Sequence, residues 1–147
     1  MSNTDSTEKK SFSRREERQQ ALSLVFERLF RDDTAEQVFE DAAEARDTKI
    51  SSYIRRVVSG VEEHTDEIDA RIEASLRGWK KNRISKVSLT ILRIAVFEML
   101  YIDSIPVSVS INEAVELAKS YATPEDASFV NGVLGSVASG LSKSGEA

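Results

Sequence analysis

Cysteine is absent from this 147-residue chain. Its absence excludes disulfides, a thiolate nucleophile and a cysteine zinc site. Prolines number two and glycines six, and strand-like alternation is missing, which disfavours a sheet. No apolar run approaches the roughly 18 residues of a membrane span. The polar N-terminus lacks the apolar core of a signal peptide, so a cytoplasmic protein is expected. His64 is the single histidine. A serine triad would have to use it, and no motif supports the convergent geometry that a triad requires. Phosphate-binding glycine loops and the HExxH metal motif are missing as well. The expectation is a protein that is no enzyme and uses neither cofactor nor metal.

Helical periodicity fills the space these absences leave. A chain of this length buries enough surface for one domain with a real core. Residues 1–12 are polar and charged and are expected to form a disordered tail, followed by a domain over 13–141 and a short flexible tail over 142–147. Ser13 with Glu16 caps a first helix reaching about Phe30, with Leu22, Val25, Phe26 and Leu29 inward. Thr34 with Gln37 caps a second, with Val38, Phe39 and Ala42 as its stripe. Ile50 to Val61 marks a third, and Ile68, Ile72 and Leu76 a fourth, ended by Gly78 as C-cap. Ile91 to Ile102 is apolar on nearly all sides, so it reads as the central helix. Arg93 and Glu98 interrupt it and are expected to find partners there. Ser110 with Glu113 fits a capping box for a sixth helix, and Thr123-Pro124 with Asp126 starts a seventh. Together these predict an all-α fold of about seven helices around a central apolar one.

Net charge is −5, which argues weakly against nucleic acid, but the charge is unevenly placed. Residues 9–18 carry +3, residues 77–93 carry +6 with no acid, residues 32–47 carry −6 and residues 94–147 carry −5. Arg14, Arg15 and Arg18 fall within little more than one turn. Arginine holds phosphate by a rigid fork and stacks on bases. Its plain alternative is a solvated helix start, although cations there oppose the helix dipole. Lys80, Lys81, Arg83 and Lys86 read first as a solvated loop. Asn131-Gly132 inside a helix costs about 1 kcal/mol for the glycine alone relative to alanine, so a specific environment is expected to hold it. Asn112 and Asn131 read as structural, satisfying loop carbonyls or helix ends. Gly132 to Gly135 matches a KH-type GXXG spacing, but it lies in a helical pattern without strands and is rejected.

Four segments in order resemble the NusB family of bacterial transcription antitermination factors: Ser13 to Leu22, Trp79 with Arg83-Ile84 and Ile91 to Tyr101, Ile105-Pro106-Val107, and Ser110 to Lys119 with Thr123 to Leu134. The resemblance covers about residues 13–141. It departs at Ser88, where some members carry a carboxylate, and at Phe26, where tyrosine is common. The acidic helix over 32–47 holds nothing diagnostic. The resemblance implies two helical subdomains, the first three helices packing against the rest. It implies RNA binding by Arg14, Arg15 and Arg18 on the first helix. It also places Asp126 and Phe129 near the RNA surface, as a base contact and a stacking platform. The residues alone read them otherwise, as a helix-start carboxylate and a core ring. The implied ligand is single-stranded boxA RNA of ribosomal RNA operon leaders. It would be held jointly with the small-subunit ribosomal protein acting as NusE, in the elongation complex of RNA polymerase. A monomer or a homodimer is compatible with this. Two rivals differ in class. One is a protein-only helical adaptor. The other is an RNA-targeting module of the kind found in front of ribosomal RNA methyltransferases, against which the end of the chain at Ala147 counts.

Overall fold

Caps set the helix boundaries. A computed structural model describes residues 13–30, 33–46, 50–76, 78 and 81–142. The expected tail over 1–12, most of that over 142–147, and Arg77, Trp79 and Lys80 lie outside the described residues. Helix α1 spans Arg14–Arg28. Ser13 Oγ accepts the Glu16 N–H at 3.0 Å and the Glu16 carboxylate accepts the Ser13 N–H at 2.8 Å, the expected reciprocal box. Helix α2 spans Ala35–Arg46, with Thr34 Oγ1 accepting the Gln37 N–H. Helix α3 spans Ser52–Glu63 behind a Ser51 cap, and α4 spans Thr65–Ala74 after the single residue His64. A 3₁₀ turn at Lys81–Arg83 leads to α5, Lys86–Tyr101, capped by Ser85. Helices α6 and α7 span Val107–Tyr121 and Pro124–Ser142.

Three expectations need correction. Ser110 is not a cap. Helix α6 starts behind Pro106, and Ser110 is buried inside it, its hydroxyl turned to Glu98. Gly78 is not a C-cap either. Helix α4 ends at Ala74 with Ser75 as its C-cap, and Gly78 sits in the following loop at φ +79°, a left-handed conformation that glycine adopts without strain. Gly132 has no packing reason, because a Cβ there would meet nothing within 4 Å. Nothing in the structure explains the mid-helix Asn-Gly.

Helix α5 is central. It packs against α1 and α3 on one side and against α4, α6 and α7 on the other, while α1, α2 and α3 pack on one another. Two helical subdomains thus share α5 as their common wall. Its Ile91, Leu92, Ile94 and Val96 are buried, as are Leu24, Phe39, Ile54, Ile68, Ile72 and Leu134 from the surrounding helices. Each such side chain contributes on the order of 1.5–3 kcal/mol of burial. Gly60 lets α3 approach closely: a Cβ there would lie 2.2 Å from Phe97 Cε1. Among the described residues there is no strand, and no helix is long and apolar enough to cross a membrane.

Candidate nucleic-acid interface

The three arginines of α1 meet three different environments. Arg18 is 4% exposed. Its Nε and Nη2 donate to the two oxygens of Glu98 at 2.8 and 3.0 Å. Glu98, buried on α5, also accepts the hydroxyls of Tyr53 from α3 and of Ser110 from α6, the latter at 2.7 Å. Burial works to lower the Arg18 pKa, but the hydrogen bonds and charge of Glu98 outweigh it and leave the pKa raised. Burial first, and then Glu98, push the Tyr53 phenol up, so it stays a donor. Arg18 is therefore a structural cation, and the expectation that it meets phosphate is corrected on this geometry. The partner that claims it lies 80 residues away in sequence.

Arg14 and Arg15 remain at the surface. Arg14 keeps about half of its side chain in water, 49% exposed. Its Nε donates to Glu17 at 3.0 Å, and its guanidinium carbon lies 4.4 Å from the centroid of the Tyr53 ring. Its two terminal nitrogens carry no hydrogen bond among the described residues. Arg15 is 58% exposed but forks onto Glu113 of α6, Nε at 3.0 Å and Nη2 at 2.8 Å. That pair raises the Arg15 pKa and lowers that of Glu113. Glu113 thus serves as a tether, and Arg15 has one terminal nitrogen left for an anion.

Beyond Arg15 the same face of α1 runs through Gln19 and Ser23 to Phe26, at helical spacing. These residues wall a groove of about 520 Å³, with Val87 from the start of α5 and Tyr121 from the end of α6 opposite. Tyr121 is 51% exposed, and Phe30, which meets Phe26 edge-on with centroids 5.2 Å apart, is 61% exposed. Large apolar groups so open to water mark a binding surface more than a defect of packing. Sequence reading missed this groove. Phe26 falls on a core stripe, and nothing local says that α5 stops short of covering it.

The remaining candidates divide. Asp126 and Thr123 cap α7 reciprocally, Thr123 Oγ1 accepting the Asp126 N–H at 3.0 Å and Asp126 accepting the Thr123 N–H at 3.3 Å. Phe129 is half-buried, packs against the core, and lines a separate cleft with Ser75 and Leu76 of the α4 end. Asn112 and Asn131 are exposed, and neither amide is hydrogen-bonded among the described residues, so the structural role expected of them is not seen. In the basic segment, Asp69 takes Arg93 at 2.9 and 2.8 Å and Lys81 at 3.1 Å. Arg83 is exposed, and the Lys86 ammonium sits 6.0 Å above the Phe30 ring. Lys86 thus lies at the opposite end of α1 from Arg14. Among the described residues, no group of three or more acidic or histidine side chains is placed to hold a metal.

An all-helical scaffold with an exposed arginine pair at the start of α1 and an open aromatic groove farther along that helix describes a binding protein. The chain belongs to the NusB family, whose model matches residues 15–139, and the curated relatives it matches are transcription antitermination proteins. The transcription antitermination protein NusB of Acetivibrio thermocellus is 45% identical over 126 residues, covering 84% of this chain and 87% of that one. Among solved structures, T. maritima NusB superposes with a TM-score of 0.79 at 37% identity, over 88% of this chain and 92% of that one. A structure of antitermination factors NusB and NusE in complex with double-stranded RNA gives a TM-score of 0.77 at 26% identity, over 86% and 96%.

Proposed function

We propose that this chain is a cytoplasmic antitermination factor that binds single-stranded boxA RNA of ribosomal RNA operon leaders. It does so jointly with the small-subunit ribosomal protein in the NusE role, within the elongation complex of RNA polymerase. The observation that carries the reading is the exposed arginine pair at the start of α1, the helix whose later turns wall the open groove. Arg14 and Arg15 take phosphates, while Phe26 and Tyr121 offer faces on which unpaired bases stack, each stack worth about 1–3 kcal/mol. Asp126 acts at the α7 edge by fixing the start of that helix behind Tyr121, and Phe129 presents its partly exposed ring in the separate cleft beside the α4 end. The solved complex of a family member with NusE and RNA supports the pairing of partners.

Net charge decides how tightly the protein holds RNA alone. At −5 it repels RNA at long range, and two surface arginines make a modest, salt-sensitive contact. A basic partner docked on the acidic C-terminal half neutralises that half and lengthens the RNA surface. Coupling of this kind is reciprocal, so RNA tightens the protein pair by the same factor. Calorimetric titration of each pair and of the ternary mixture tests it. Weak binding alone and tighter binding together are expected. Independent binding would remove the joint reading and favour a protein-only adaptor.

A further inference from the structure

Tyr53 is 6% exposed, and the groups that cover it do unlike things. Its hydroxyl is held by Glu98, which is itself gripped by Arg18 and Ser110. Its ring carries Arg14 at 4.4 Å, with Arg18 5.9 Å from the same centroid. A ring fixed at its polar end by a fully buried carboxylate cannot swing away. Arg14 has four side-chain rotors to freeze before it can present its fork, and the ring face freezes them in advance. Glu17 takes Nε and leaves the terminal nitrogens outward. We propose that Tyr53 is a positioning residue for RNA binding: its ring is the fixed platform on which Arg14 is laid out to receive a phosphate. This rests on the RNA reading of Arg14 given above.

The test uses the full chain and a boxA oligoribonucleotide, with fluorescence anisotropy across a salt series. Arg14→Ala is expected to weaken binding and to lower the salt slope by about one. Arg14→Lys keeps the charge but not the flat fork. It is expected to keep the slope and lose about two- to fivefold in affinity, the scale of an exposed cation–π contact. Tyr53→Leu is expected to lose the same factor, and to add nothing to Arg14→Ala in the double variant. Tyr53→Phe, which keeps the ring, is expected to bind within about twofold of the parent, less than the loss of the contact itself. Arg14→Ala indistinguishable from the parent in affinity and slope would overturn the RNA reading of Arg14, and this proposal with it. Arg14→Ala weakened while Arg14→Lys and folded Tyr53→Leu bind normally would overturn the platform alone. Full additivity of Tyr53→Leu with Arg14→Ala, or Tyr53→Phe as weak as Tyr53→Leu, would do the same. Should Tyr53→Leu fail to fold, Arg14→Lys decides the matter, because Arg14 is a surface residue.

Discussion

Arg18 grips Glu98 with both sides of its fork in the interior, whereas Arg14, one turn earlier on the same helix, keeps half of its side chain in water. Both lean on Tyr53, one from each side of the boundary between core and solvent. Their chemistry is identical and their helix is the same. The acid that each one reaches separates their roles. Glu98 is buried and needs a cation, since a carboxylate left alone there would be strongly disfavoured. Glu17 is partly exposed, on the same helix as Arg14, and holds only one of its nitrogens. An arginine-rich helix start is therefore not one binding feature but two devices, one for cohesion and one for capture.

Substitutions break this contrast in graded ways. Arg18→Ala strands Glu98 among apolar neighbours with two hydroxyl donors, and should lower unfolding free energy by about 3–5 kcal/mol in a denaturant titration. A loss below about 1 kcal/mol would mean that the hydroxyls suffice and Arg18 is dispensable. Charge reversal at Arg18 consequently reports on folding before it reports on RNA. Gly60→Ala disturbs the same interior without touching charge. Its methyl group meets Phe97, and a loss of about 1–3 kcal/mol is expected by the same measurement. Unchanged stability would show that α3 slides freely over α5.

Acid tests the second interior pair. Burial works to raise the Asp69 pKa, but Arg93 and Lys81 outweigh it and hold the carboxyl below its ordinary range. Stability from such a group is fully present above the unfolded-state pKa, and is lost as pH falls through the folded one. The melting temperature of the parent should therefore drop below about pH 4, and Asp69→Asn should show a smaller drop from a lower starting point. Equal acid sensitivity in the two proteins would place the loss elsewhere. Arg14→Ala should be the mildest for the fold, within about 0.5 kcal/mol of the parent. A larger loss of stability there would erase the contrast between capture and cohesion.

Local signals made much of the fold legible. The boxes at Ser13 with Glu16 and at Thr123 with Asp126 form as their spacing requires. The nearly all-apolar run over 91–102 did mark the central helix, and its two charges did find partners. What stayed illegible was every choice made by a distant residue. Ser110 has cap chemistry, but Pro106 starts the helix earlier and Glu98 claims the hydroxyl. Arg18 looked like its neighbours because Glu98 is far away in the chain. The groove of Phe26 and Tyr121 needed three helix ends to be placed before it existed.

Glu98 draws a guanidinium from α1, a phenol from α3 and a hydroxyl from α6 onto one carboxylate of α5. The two subdomains are thus not interchangeable modules. A chain cut between α4 and α5 would put the acid on one piece and two of its three donors on the other. The pieces must then rejoin or leave a charge in apolar surroundings. Grafting the first three helices from a relative succeeds only when Arg18, Tyr53, Glu98 and Ser110 travel as a matched set. These four positions form a single unit of inheritance, scattered over 93 residues of sequence from Arg18 to Ser110 inclusive.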